Sequence, residues 1–257
     1  MGRPAWLTTR PVAHRGYHDR DAGRIENTIA AAEAAIARGF AVECDLQLTR
    51  DDVAIVFHDD TLDRLTATTG RVSTMTLAAL KAIPLAGTTA TIPTLEEFLA
   101  TIAGRVPLFV EFKSTFDRNR RLEEVAAPAL AAYAGPLAVM SFDPDSLIAL
   151  RRLLPSLPRG MVADRFTDEE WSPIPPLRRL ALRHLAAAPR VMPSFVAWGV
   201  HDLPADPPLL LRHLGVPLLT WTVRTLADRK TAARYADQII FEGFDPEATD
   251  TASPVAA

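Results

Sequence analysis

The sequence predicts an α/β fold of the (β/α)8 TIM-barrel kind, with an extra hairpin strand after the second barrel strand. Three observations carry that expectation. Short β-rich apolar runs alternate with longer Ala/Leu-rich helical stretches from one end to the other, the pattern of a parallel sheet built from βα units. The chain has 257 residues, close to the roughly 250 that such a barrel takes. Strand candidates number nine, and two of them stand too close together to be parallel neighbours.

In chain order the candidates lie at 11–14, 40–48, 53–57, 106–113, 137–142, 158–163, 194–200, 216–223 and 237–242. Only a few residues join the second to the third, whereas a parallel crossover needs a dozen or more. Those two therefore form an antiparallel hairpin, and eight parallel strands remain. Asn27-Thr28 opens the helical run 29–38, which Gly39 closes. Thr94 and Glu97 form a capping box ahead of 98–102, and Gly104 ends that helix. Segment 164–193 holds Trp171 and five prolines, so an irregular loop is expected there, followed by a basic surface helix over 177–188. No linker interrupts the pattern. A single domain over 1–248 is expected, with 249–257 as a frayed tail.

Composition narrows the function classes. There are 28 Lys+Arg against 31 Asp+Glu, a net charge of −3 and a pI near 6.1, so no basic field exists for a phosphate backbone and nucleic acid is excluded as the primary partner. Hydrophobic residues make up 48%, enough for a sizeable core and too many for a disordered chain. The single cysteine, Cys44, cannot form an internal disulfide, and residues 1–10 lack the apolar core of a signal peptide. A cytoplasmic location follows as the expectation. No stretch approaches the roughly 18 apolar residues of a membrane span, so stable membrane insertion is not expected.

Chemistry enters on the second strand. Alternation places Glu43 and Asp45 on one face while Val42, Cys44 and Leu46 take the other. Parallel strands are buried on both faces, where unpaired carboxylates are costly, so something must compensate these two. The pattern recurs at Glu111 and Lys113 within the apolar run Phe109-Val110-Glu111-Phe112-Lys113. Three acids and a lysine thus converge in the barrel mouth. Carboxylate oxygens in this number suit a hard divalent cation, Mg²⁺ or Ca²⁺, better than zinc.

Two histidines join them. A two-residue turn at Asp51-Asp52 would pair Arg50 with Val53 and set His58 directly opposite Asp45, with Asp59-Asp60 following. His14-Arg15-Gly16 follows the first strand, and in a barrel the C-terminal strand ends line the active site. Paired histidines suit general acid/base work near neutral pH, and Arg15 offers a planar fork to an anionic oxygen pair. Cys44 faces away from the acids and reads as a small core residue. Arg151-Arg152 and Arg178-Arg179 read as solvated helix faces.

An ordered series of motifs then brings a family into view. His14-Arg15-Gly16, Glu26-Asn27-Thr28 and Glu43-Cys44-Asp45-Leu46, with Thr49, Val53, Val56 and His58-Asp59, resemble the signature of the glycerophosphodiester phosphodiesterases. Thr61-Leu62-Asp63-Arg64, Gly70-Arg71-Val72, Ile92-Pro93-Thr94-Leu95-Glu96-Glu97, Glu111-Phe112-Lys113-Ser114, Ser141-Phe142-Asp143-Pro144 and Trp221-Thr222-Val223 follow in family order. The resemblance covers most of 11–246.

The resemblance implies a distorted barrel of the phospholipase C-like phosphodiesterase type. Its substrates would be small deacylated phospholipids such as glycerophosphocholine or glycerophosphoethanolamine, cleaved to glycerol 3-phosphate and an alcohol. It also implies Glu43, Asp45 and Glu111 as ligands of a divalent metal, His14 and His58 as the acid/base pair, and Arg15 and Lys113 as phosphate holders. Trp221 is expected either at the substrate pocket or as a core aromatic on the last strands. Three departures stand out: Ile25 where the family commonly has Pro, Arg224 where Asn is frequent, and Phe241-Glu242 in place of Thr-Asp. None is expected to touch a metal ligand or an acid/base histidine; they are expected to bear on the outer pocket, and so on the leaving alcohol. Competing readings are a related barrel acting on lysophospholipids or phosphoinositides, which would need a membrane-binding apron, and a catalytically silent barrel that only binds phosphodiesters.

Overall fold

A computed structural model describes residues 4–248; the expected tail at 249–257 lies outside the described residues. Among the described residues there are nine strands: β1 (Val12–Ala13), β2 (Ala41–Leu48), β3 (Ala54–Val56), β4 (Leu108–Phe112), β5 (Leu137–Ser141), β6 (Arg159–Ala163), β7 (Phe195–Gly199), β8 (Leu218–Val223) and β9 (Gln238–Phe241). Each falls within a sequence-predicted run. Eight of them form a parallel ring, which closes where β1 pairs with β2 on one side and β9 on the other. β3 lies outside the ring, antiparallel to β2.

The helices are α1 (Ile29–Ala37), α2 (Leu77–Lys81), α3 (Leu95–Ile102), α4 (Arg121–Ala132), α5 (Pro144–Leu153), α6 (Pro176–Arg183), α7 (Ala188–Val191), α8 (Asp206–His213) and α9 (Leu226–Tyr235). Thr28 caps α1 by accepting from Ala31 N, and Gly39, at φ 65°, takes the left-handed position past its end. The capping box expected at Thr94 and Glu97 is formed at the start of α3. The basic helix expected over 177–188 is shorter: α6 stops at Arg183, and a separate turn of helix, α7, follows. Arg151 and Arg178 are not merely solvated. Arg151 donates to Arg190 O, and Arg178 donates to Phe116 O and pairs with Asp143 and Asp145, tying α6 to the loop after β4.

The strands follow a period of two, and this period builds both core and site. Inward residues Val12, Ala41, Phe109, Ala138, Met140, Val162, Phe195, Ala197, Leu219 and Ile240 pack into one buried cluster that fills the barrel. Phe195 sits edge-on to Phe109 at 5.5 Å, and Gly160 makes room for it: a Cβ there would stand 2.2 Å from the Phe195 ring. The outward residues pack against the helices, with Cys44 fully buried among them. A third cluster, including Ile55, Phe57, Leu62 and Ile92, lies under the hairpin and its long return to β4.

The hairpin register differs from the expectation. Leu46 faces Val56 and Leu48 faces Ala54, so the loop holds three residues, Arg50-Asp51-Asp52, and Asp45 stands opposite Phe57 instead of His58. The cause is local. Asp52 adopts the left-handed conformation at φ 59°, which an Asp tolerates, and Thr49 Oγ1 accepts from Val53 N to fix the turn. His58 reaches the barrel mouth because the chain leaves the ladder after Phe57.

Candidate active site

Continuing most inward files by two residues toward the C-terminal strand ends leads into the lining of one cavity of about 790 Å³. Val12 is followed by His14, Ala41 by Glu43 and Asp45, Phe109 by Glu111 and Lys113. Farther round the ring, Met140 is followed by Phe142, Val162 by Asp164, and Leu219 by Trp221. His14, Arg15, Glu43, Asp45, His58, Glu111, Lys113 and Trp221, the eight residues singled out in the sequence, all line this cavity.

Glu43, Asp45 and Glu111 are buried, and each offers an oxygen such that all three atoms lie within 4.8 Å of one another. Lys113 Nζ donates to Glu111 Oε1 at 2.6 Å and pairs with Asp45 Oδ1 at 2.8 Å; Arg15 Nε lies 3.3 Å from Asp45 Oδ2. Asn27 completes the hold on Asp45, donating from Nδ2 at 2.8 Å. Burial would raise the Asp45 carboxyl, but Lys113, His58 and Arg15 hold it well below the usual carboxylate range. Glu43 goes the other way: burial, then Asp45 and Glu111 beside it, push it well up. One Glu43 oxygen accepts from Arg15 N, while Oε1 is buried without a hydrogen-bond partner. An orphaned carboxylate oxygen beside two further carboxylates is a donor set that fits a hard divalent cation.

Each histidine anchors Nδ1 on a carboxylate. His14 Nδ1 donates to Glu242 Oε2 at 2.7 Å, and His58 Nδ1 donates to Asp59 Oδ1 at 2.7 Å. These tautomers, assigned from the hydrogen-bond network, leave both Nε2 atoms to exchange protons. Burial, partly offset by Glu242, lowers His14 to about 4, so it is neutral near pH 7. The anchors are themselves held. Arg64 grips Asp59 from Nε at 2.7 Å and Glu26 from Nη1 at 2.8 Å, and Glu26 accepts from Arg15 Nη1 at 2.6 Å. A continuous polar chain thus joins His58 to Arg15 and Asp45.

Glu242 corrects the assignment of the sequence departures. It touches His14 directly, and its Oε1 accepts from Arg224 Nε at 2.5 Å, so two of the three departures form a pair behind that histidine. Burial would raise the Glu242 carboxyl, but His14, His18 and Arg224 beside it hold it far below the ordinary range. Ile25, the third, is a buried residue of the cluster under the hairpin. The local backbone also serves the site. Gly16, at φ 78°, lets the turn after β1 close on α1, where a Cβ would stand 2.8 Å from Ala31. Arg15 itself is left-handed at φ 54°, a strained setting for a long side chain that its contacts to Glu26, Glu43 and Asp45 sustain.

Residues 14–241 match the sequence model of the glycerophosphoryl diester phosphodiesterase family. Among curated proteins, the chain is 34% identical over 173 residues to a probable glycerophosphodiester phosphodiesterase 1 of Mycobacterium tuberculosis, a match covering 57% of this chain and 61% of that protein. It is 32% identical over 178 residues to a glycerophosphodiester phosphodiesterase of Caldanaerobacter subterraneus, covering 64% and 71%. The match thus spans about three fifths of the first relative's length. Among solved structures, a phosphodiesterase of Oleispira antarctica in complex with the product sn-glycerol-3-phosphate has the same fold, with a TM-score of 0.76 at 22% identity over 92% of this chain and 93% of that one.

Proposed function

The chain belongs to the glycerophosphoryl diester phosphodiesterase family, and on that premise we propose that its barrel, as a single domain over 1–248, hydrolyses glycerophosphodiesters to glycerol 3-phosphate and an alcohol. Deacylated phospholipids such as glycerophosphocholine and glycerophosphoethanolamine are the substrates proposed. One observation supports this most: two histidines, each oriented by a carboxylate, share a cavity with three clustered carboxylates, Arg15 and Lys113. A module that only bound phosphodiesters would not need a paired acid and base.

A phosphodiester is anionic and its alkoxide leaves poorly, so a catalyst must offset phosphoryl charge and protonate the departing oxygen. Arg15 and Lys113 supply fixed positive charge to the phosphate oxygens. Glu43, Asp45 and Glu111 would hold a divalent ion, Mg²⁺ or Ca²⁺, which when bound polarises a phosphoryl oxygen. The glycerol 2-hydroxyl forms a bond to phosphorus as its proton passes to Nε2 of one histidine. The other, protonated, gives its proton to the headgroup oxygen as that P–O bond breaks. Water then adds to the cyclic phosphate with the histidine roles exchanged, and the bond to the 2-oxygen breaks to leave glycerol 3-phosphate. A cytoplasmic location belongs to the same proposal, consistent with the free, buried Cys44. Among the described residues no helix is long and apolar enough to cross a membrane.

The test is release of glycerol 3-phosphate from a panel of glycerophosphodiesters, with and without a chelator. Release that the chelator abolishes and Mg²⁺ or Ca²⁺ restores is expected. Chelator-insensitive turnover would remove the metal from the proposal, and no release from any diester would favour a silent binding barrel.

A further inference from the structure

We propose that the side of the cavity facing away from the metal-ligand carboxylates is a subsite for a positively charged alcohol headgroup, above all a quaternary ammonium. This rests on the diesterase reading and adds a substrate preference to it. The two sides of the cavity differ in chemistry. β1, β2 and β4 bring His14, Arg15 and Lys113, which suit a phosphate. The ends of β5, β6 and β8, with the loop after β6, bring Phe142, Asp164, Phe166, Trp171 and Trp221.

These rings touch one another as a wall. Trp171 lies 4.7 Å from Phe166 and 5.0 Å from Phe142, centroid to centroid, and Phe142 lies 5.4 Å from Trp221. The cluster already carries one cation: the Arg178 guanidinium carbon sits 5.1 Å from the centroid of Phe116, whose ring is 6.3 Å from Trp171. Asp164 stands at the foot of the wall, only 8% exposed. Its Oδ1 accepts from Phe166 N at 2.5 Å and its Oδ2 from Trp171 Nε1 at 3.1 Å, which fixes the indole. Among the described residues no basic group forms a salt bridge with Asp164. Burial raises its carboxyl to about 6 against the hydrogen bonds from Phe166 and Trp171, with smaller contributions from Glu170 and from Asp202, which is itself paired with Arg165 at 3.2 Å.

A buried carboxylate with acidic neighbours beside electron-rich ring faces is a region of negative potential that a cation relieves. A quaternary ammonium has no hydrogen to donate and is weakly hydrated, so ring faces and a nearby charge are the contacts that recognise it. An uncharged polyol would instead rely on hydrogen bonds; the Trp171 N–H is already committed to Asp164, and Trp221 Nε1, buried without a partner, is the donor left on this wall for a hydroxyl.

The experiment compares initial rates of the full chain, with divalent metal, on glycerophosphocholine and on glycerophosphoglycerol. A kcat/KM ratio of about tenfold or more in favour of the choline diester is expected. Trp171→Leu and Asp164→Asn should each lower that ratio several-fold, chiefly through KM for the choline diester. Free choline is titrated in parallel against tryptophan fluorescence, and saturable quenching that Trp171→Leu removes is expected. Equal kcat/KM on the two diesters, or a ratio that both variants leave intact, overturns the subsite while the diesterase reading stands. Choline quenching without turnover of any diester keeps the subsite and sinks the diesterase reading; absence of both turnover and quenching sinks both.

Discussion

Oε2 of Glu242 lies 2.7 Å from Nδ1 of His14, although 228 residues separate them in the chain. The contact exists because β9 closes the ring against β1, so the residue after each strand end meets the other at the cavity rim. Arg224 holds the far oxygen of Glu242 in place. Glu242 is a positioning residue in the proposed reaction, acting only through the imidazole.

Glu242→Gln is therefore expected to lower kcat by about a hundredfold, the lower end of what a well-placed acid/base group contributes, with a smaller change in KM. Glu242→Asp, which keeps the charge, should recover more activity than Gln. Steady-state kinetics on one diester checks both. His14→Ala and His58→Ala should each cost at least as much as Glu242→Gln, with the circular dichroism spectrum unchanged.

The raised Glu43 carboxyl makes a stability prediction. Burial and the neighbouring acids oppose its charge, so Glu43→Gln should raise the thermal midpoint of chelator-treated protein. The same change should remove most of the stabilisation that Mg²⁺ or Ca²⁺ gives the parent, which at a hundred times Kd amounts to about 2.7 kcal/mol. Thermal melts of both proteins, with chelator and with each metal, give the comparison.

Glu26 sets a pH dependence. Burial works to raise its carboxyl, but Arg64 and Arg15 bring it from 4.5 to about 2. A folded pKa below the unfolded one stabilises the fold above pH 4.5, and that contribution is lost as pH falls through about 2. Its size is up to about 3 kcal/mol, and Glu26→Gln should flatten the fall of urea-unfolding stability across that window.

Gly160→Ala tests the barrel interior. The added Cβ would stand 2.2 Å from the Phe195 ring in a filled core, and overpacking of this kind costs about 1–3 kcal/mol. Denaturant unfolding should show a lower midpoint with an unchanged slope.

Much of the fold was legible because parallel strands buried on both faces read as unbroken apolar runs, and 108–112 or 195–199 could be little else. Glu43, Asp45 and Glu111 were legible because they interrupt such runs at the inward parity. The hairpin register was not, since it turned on whether Asp52 would take a left-handed backbone, which Asp permits without requiring. Nor was the contact of Glu242 with His14: it depends on closure of the ring, and no local pattern at either end encodes it. Asp164 ends an apolar run much as any loop-opening Asp would, and only the indole of Trp171 donating to it sets it apart. The inward parity of Val162 does pass to Asp164, and that signal was present in the sequence.

The inward files carry a last consequence, for how such a protein diversifies. His14, Glu43, Glu111, Phe142, Asp164 and Trp221 stand directly above apolar rungs that fill the barrel, so exchanging one of them leaves the foundation undisturbed. Phosphorus chemistry hangs on one arc of the rim and headgroup contacts on another. Selectivity can drift along the second arc, one strand at a time, while the first stays fixed.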